Sequence, residues 1–261
     1  MTNRYLYIFV AFVTIFMSSC SQPDLMEQIL ELENQKASMQ PEAAKKLADL
    51  YRDYAALNQD STSEEFLLRS AQMDLEGERY DEVIIADSLL ALNYDSSKYK
   101  KDIALLAAKS MLKSGNEGAA IKRYENIANK EILHNRDLHQ MKIAYLAYVE
   151  KYPDNKESVD YSIKAANLLS TSGGARQAIE LYLKVVADHP TSDYAPFALT
   201  KVSEVYETQL GDLKQAKKYL EQLIADYPES NFARDAQVIL DKELLGLSDE
   251  EKFRRIVGMD S

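Results

Sequence analysis

The feature that most constrains this chain is a spacing. Ala178 is followed by Tyr182, Val185 and Pro190, and Ala216 by Leu220, Leu223 and Pro228, at the same offsets in both stretches. The first three positions of each set share one face of an α-helix. The proline closes the helix, because the residue before a proline is pushed out of the α region. Ala120, Tyr124 and Ile127 repeat the face without the proline, and Val83, Leu90 and Asp95 keep a weaker form in which Asp87 interrupts the stripe. Twelve or thirteen residues before each anchor stands another small residue: Ala71, Ala108, Ala166 and Ser203. Small side chains at both points let two antiparallel helices approach closely. The pattern therefore predicts helix pairs over 63–92, 98–130, 155–189 and 192–227. Eight Gly, six Pro and no Trp, against many Ala, Leu, Lys and Glu, agree with an all-α chain.

This arrangement of small residues, a later aromatic and a closing proline resembles the tetratricopeptide repeat (TPR). The early tryptophan of that family is absent. The resemblance implies an α-α superhelix, a right-handed solenoid whose concave surface is lined by the first helix of each pair. Tyr161, Lys164, Tyr194, Lys201 and Tyr206 lie on such first helices and are the expected partner-binding residues. Tyrosine offers contact area at modest entropic cost, and the lysines suit a peptide carboxylate. The clamp residues of the chaperone-binding TPR subclass are not matched.

A longer period lies over the short one. A shift of about 95 residues lays Val83 on Ala178, Tyr99 on Tyr194 and, with one insertion near Leu210, Gly115 on Gly211. It also lays a helix at 42–58 on one at 137–151. Two duplicated five-helix units follow, residues 41–132 and 133–229, each a lead helix and two pairs. A short helix over 24–39 precedes them. Residues 230–261 form a capping helix, about 229–244, and a tail. In that tail Ser248 opens an amphipathic turn carrying Phe253, Ile256 and Val257, expected to dock on the cap. Ser63 is the expected N-cap of its helix. Gly115, Gly118, Gly173, Gly174 and Gly211 are expected between paired helices.

At the N-terminus Arg4 precedes a largely apolar run, Tyr5 to Met17, then Ser18, Ser19 and Cys20. A basic start, a short apolar core and small exit residues describe a secretory signal peptide. The core falls short of the roughly 20 residues of a membrane span. Met17-Ser18-Ser19-Cys20 resembles the lipobox of bacterial lipoproteins. That resemblance implies cleavage after residue 19, acylation of Cys20, and a tether over residues 20–40. Ser21 after the cysteine resembles sorting to the outer membrane, with the body facing the periplasm.

Residues 20–261 carry 30 basic and 42 acidic side chains, a balance of −12. An acidic body argues against nucleic acid, whose affinity comes from neutralised phosphates. It also leaves membrane attachment to the acyl chains. Cys20 is the only cysteine, so no intramolecular disulfide forms. His134 and His139 are five residues apart, on different helix faces, and lack the acidic partner of a metal motif. His189 occupies the packing slot of Tyr152 and Tyr227. Acidic pairs such as Glu64-Glu65 open helices, where the macrodipole favours them. No phosphate loop or nucleophile elbow occurs. The expectation is a non-enzymatic adaptor without cofactor or metal. Its partner would be an envelope protein or peptide, as for the small TPR lipoproteins of Gram-negative envelopes, which the chain resembles across 41–245. The alternative is a cell-wall or carbohydrate-binding module that stacks sugars on exposed tyrosines. Oligomeric state is left open.

Overall fold

The computed structural model describes residues 24–35 and 39–258. The expected signal peptide and Cys20 lie outside the described residues. The first helices are α1 (Leu25–Asn34), α2 (Pro41–Leu57), α3 (Ser61–Glu76), α4 (Tyr80–Asn93), α5 (Lys100–Lys113) and α6 (Glu117–Ala128). They are followed by α7 (Asn135–Lys151), α8 (Lys156–Thr171), α9 (Ala175–Asp188), α10 (Tyr194–Thr208) and α11 (Leu213–Asp226). A capping helix, α12 (Asn231–Asp241), and a short α13 (Asp249–Val257) complete the chain. Each helix from α1 to α12 packs on its neighbours in sequence, giving an all-α, TPR-like solenoid of successive helix pairs with a terminal cap.

The small residues do what their spacing demands. Ala71 faces Val83, Ala108 faces Ala120, Ala166 faces Ala178 and Ser203 faces Ala216, in the pairs α3–α4, α5–α6, α8–α9 and α10–α11, and all are buried. In the last pair the Ser203 hydroxyl donates to the Ala216 carbonyl at 3.0 Å, which satisfies the one polar group at that contact. Helices α9 and α11 end two residues before Pro190 and Pro228, with His189 and Tyr227 as C-caps.

Next-but-one contacts reveal the inside of the curve, where helices crowd. Helices α3, α5 and α7 touch in one row and α8, α10 and α12 in another, while on the opposite side only α2 and α4 do so. The rows meet at the α7–α8 hairpin. There, among the described residues, α6 makes no backbone approach to α8, nor α7 to α9.

Four local expectations are corrected. The α3 helix begins at Ser61, and its N-cap is Asp60, whose carboxylate accepts from the Ser63 amide at 2.8 Å. The Ser63 hydroxyl instead reaches the Asn58 carbonyl, 2.8 Å away. Gly118 lies inside α6, where a Cβ would touch the Tyr148 ring at ordinary contact distance. The first helix stops at Asn34. Finally, α13 leaves Phe253, Ile256 and Val257 exposed. Polar contacts hold it instead: Lys252 to Glu207 at 2.9 Å, and Arg255 to the carbonyls of Lys242 and Glu243. A Ser248–Glu251 capping box starts it.

Candidate functional site

The inner row α3–α5–α7 bounds a groove of about 340 Å³. Leu68, Leu105 and Leu106 supply its apolar walls, and Gln72, Lys109 and Asp137 its polar ones. Leu68 and Gln72 are one turn apart on α3, as are Leu105 and Lys109 on α5, so two helical stripes face each other across it. Tyr124, almost fully buried, also lines the groove. Burial, then the nearby Asp137 carboxylate, raises its pKa and keeps it a neutral phenol. The groove continues past Gln72, Leu106 and Lys109 into a second hollow of about 370 Å³ that reaches Lys113. Lys109 forms no ion pair or hydrogen bond through its ammonium group among the described residues. In a chain of net charge −11, this leaves an uncommitted cation on a leucine-lined inner surface.

The five residues singled out from the sequence fall into two groups. Lys164 and Tyr194 converge on Asp160, while Tyr161, its neighbour in sequence, points into the core. The Lys164 ammonium lies 2.9 Å from Asp160 and 2.7 Å from Glu125, and the Tyr194 hydroxyl donates to Asp160 at 3.0 Å. Tyr161 is only 7% exposed. Its ring packs between Tyr145 at 5.4 Å and Tyr148 at 4.9 Å, so it is a core residue with no face free for a ligand. Burial would lower the Lys164 pKa, but its hydrogen bonds to Glu125 and Asp160 outweigh that and raise it. Lys164 is thus a committed cation. Lys201 pairs with Glu204 at 2.6 Å and lies over the Phe197 ring. Tyr206 stacks on Tyr219, with ring centroids 5.5 Å apart, and faces a separate hollow of about 590 Å³ with Arg176 and Leu183. Neither joins the Asp160 cluster.

The same motif occurs a second time. On α2 and α3, Tyr51, Phe66, Arg69 and Glu65 take the places of Tyr145, Tyr161, Lys164 and Asp160 on α7 and α8. Tyr51 donates to Glu33 of α1 at 2.5 Å, as Tyr145 donates to Glu125 of α6 at 2.9 Å. Arg69 pairs with Glu33 at 2.7 Å and with Glu65. The distant carboxylates, Glu33 and Glu125, carried no signal in the sequence. Only the i,i+4 spacings Glu65–Arg69 and Asp160–Lys164 were visible there.

A third polar cluster joins α2, α3 and α4. Arg52 pairs with Asp74, Asp49 and Glu82, and Arg79 with Asp49 and, at 3.3 Å, Asp74. Asp74 is 1% exposed. Burial pushes its carboxyl up to about 6 despite the pull of Arg52 and Arg79. Among the described residues no group of three His, Cys, Asp or Glu side chains is placed to hold a metal ion, and no helix is long and apolar enough to cross a membrane.

Against this geometry the comparisons with known proteins are specific in one place. The family model described as YfiO, outer membrane lipoprotein, matches residues 157–245, which is 89 of 261 residues and spans α8 to α12. No curated protein sequence matches the chain. Among solved structures, the C-terminal part of a TPR repeat-containing protein from Cytophaga hutchinsonii aligns at 15% identity. It covers 85% of this chain and 86% of its own, with a TM-score of 0.35. A protein of nearly identical TPR-like repeats from Podosopora anserina aligns at 12% identity, over 79% and 96% of the two chains, with a TM-score of 0.30. The TPR-like assignment rests on the helix packing described above.

Proposed function

We propose that this protein is a lipid-anchored adaptor, attached through Cys20 to the outer membrane and facing the periplasm, that holds a segment of another envelope protein along its inner helical face. TPR-like solenoids are generally protein-binding scaffolds, and the match of residues 157–245 to an outer membrane lipoprotein family supports an envelope setting. The observation that carries the reading is the groove between α3, α5 and α7, with leucine walls and the uncommitted Lys109. Such a surface suits a peptide segment with an apolar side chain and an acceptor group, carboxylate or carbonyl, one or two residues away. A role in outer-membrane protein assembly or envelope maintenance fits the same setting. The carbohydrate alternative needs open aromatic faces; Tyr51, Tyr124, Tyr145, Tyr161 and Tyr182 are turned inward, which leaves Tyr152 and Tyr194 as the exposed tyrosines among the described residues.

Photocrosslinking in cells tests the reading. A crosslinking residue at Gln72 or Lys109 should capture one and the same envelope protein, while one at Glu180 of α9 should not. Lys109→Glu should weaken that capture about tenfold, the order of one hydrogen bond to a charged group. Equal capture from Glu180, or none from the groove, would remove the adaptor reading.

A further inference from the structure

The helices alternate in direction, so the C-terminal ends of α2, α4 and α6 lie on one edge of the array together with the N-terminal ends of α3, α5 and α7. Contacts across the connections hold these ends side by side. The Tyr94 hydroxyl donates to the Asn58 carbonyl at 2.5 Å, and the Lys101 ammonium donates to the Ile132 carbonyl at 2.7 Å. Three large aliphatic side chains stand out from this edge: Leu57 at 61% exposure, Leu92 at 80% and Ile132 at 87%.

The connections on this edge, residues 57–60, 92–101 and 129–134, hold Lys98, Lys100, Lys101 and Lys130 with Asp60, Asp95 and Glu131, and the first turns of α3, α5 and α7 add Glu64, Asp102, Arg136 and Asp137. Lys98 and Lys130 form no ion pair among the described residues, and Lys98 lies over the Tyr99 ring. Aliphatic tips beside lysine and tyrosine suit a lipid headgroup layer: the aliphatics enter, and the lysine stems lie along the interface with their charges in water.

The start of the described chain is at the same edge. Asp24 lies within electrostatic reach of the Tyr54 phenol, whose hydroxyl donates to Asp60 at 3.1 Å, and Leu25 and Met26 pack with Tyr54 on one apolar cluster. Cys20 is four residues before Asp24. Four residues reach at most about 14 Å when fully extended. An acyl group on Cys20 would therefore bring the α1–α2 end of this edge to the bilayer, and Leu92 and Ile132 extend the same edge away from that end.

We infer that the edge formed by Leu57, Leu92 and Ile132 is a membrane-docking surface that seats the solenoid upright on the lipid layer holding its tether. The inference rests on acylation of Cys20 and adds an orientation to it. With the helix axes standing away from the lipid, the inner groove runs from the bilayer side outward and stays open to the aqueous compartment.

The test places one extra cysteine at a time in the full-length lipoprotein (Leu57→Cys, Leu92→Cys or Ile132→Cys) and labels it with an environment-sensitive fluorophore. The protein is then reconstituted in vesicles of phosphatidylethanolamine and phosphatidylglycerol. These side chains are exposed, so the changes spare the core. Ser114→Cys, at the opposite ends of the helices, is the control. Labels at the three edge positions should shift to the blue and lose intensity to nitroxide-bearing lipids, and the Ser114 label should do neither. Equal quenching at all four positions, or at none, would overturn the inference. Mass spectrometry of Cys20 separates the two layers of the argument. An acylated Cys20 with unquenched edge labels sinks the docking edge alone, and an unacylated Cys20 sinks the tether and the edge together.

Discussion

Helices α2–α4 and α7–α9 are built to the same lengths, 17, 16 and 14 residues, and differ at their junction. Position by position, Arg52, Asp74 and Asp49 of the first set stand where the second has Leu146, Leu169 and Ile143. The N-caps of α4 and α9 are Arg79 and Gly174. One junction is closed by five charged side chains; in the other Leu146 and Leu169 are partly buried, each against a different neighbouring core, and Ile143 is exposed. The backbone arrangement therefore does not require either chemistry. What differs is how the junction fails. An ion network punishes the loss of one member, whereas a leucine contact loses only its own buried area.

The largest expected effect comes from breaking the charged junction. Arg52→Met leaves Asp74 buried with Arg79 alone and should destabilise the protein by about 3–5 kcal/mol, measured by urea unfolding at pH 7. The paired change Arg52→Leu with Asp74→Leu, which copies Leu146 and Leu169, should recover most of that loss. If the pair is as damaging as the single change, the two junctions are not interchangeable.

A smaller effect sharpens the contrast through pH. The Asp74 carboxyl is held at about 6 in the folded chain, above its ordinary value of 3.8. A raised folded value means that the folded state keeps its proton longer than the unfolded one. Stability from this group is complete below pH 4 and falls as pH rises through 6, by about 3 kcal/mol. Urea midpoints between pH 4 and 7 should show this fall, and Asp74→Asn should flatten it. The α7–α9 junction, with Leu169 at that position, contributes no such slope. Next comes Leu169→Ala, with an expected loss of about 2 kcal/mol for a partly buried leucine.

The smallest effect concerns the turns. Gly115, Gly173 and Gly211 supply positive φ after α5, α8 and α10, but after α3 that conformation falls to Glu78, at φ 58°. Glu78→Gly should stabilise by about 0.5–1 kcal/mol, since left-handed backbone costs a non-glycine residue about that much net of glycine's entropy. Thermal melting would read it.

What the sequence made legible was periodic. Ala166 facing Ala178, and Pro190 closing α9, follow from offsets that any helix imposes, so the four pairs and the cap could be read directly. The Asp160 cluster was only partly legible: Lys164 and Tyr194 were singled out one by one for a ligand, not as neighbours, and Glu125, 39 residues from Lys164, has no periodic relation to them. Tyr161 was offered to solvent because first helices line a concave face, yet the same helix also has a side toward α7, and Tyr161 lies on it. Ser63 was taken for a cap by residue type, although Asp60 three residues earlier reaches the amide that needs an acceptor. The Arg52 network was invisible because its members come from three helices and each looks like an ordinary surface charge.

At the α7–α8 hairpin, among the described residues, no helix straddles the joint through backbone contact, and α6 and α8 are linked by side chains: the Lys164–Glu125 pair and a buried cluster that holds Tyr124, Tyr161 and Ala165. Both side chains of the pair are part-exposed, so that strut is worth little and dissolved ions weaken it. The joint is held instead by close fit: Tyr161 and Ala165 of α8 share a buried cluster with Tyr145 and Tyr148 of α7 and Tyr124 of α6. A guest lying across it would meet a surface braced from beneath by apolar packing, which dissolved ions leave intact.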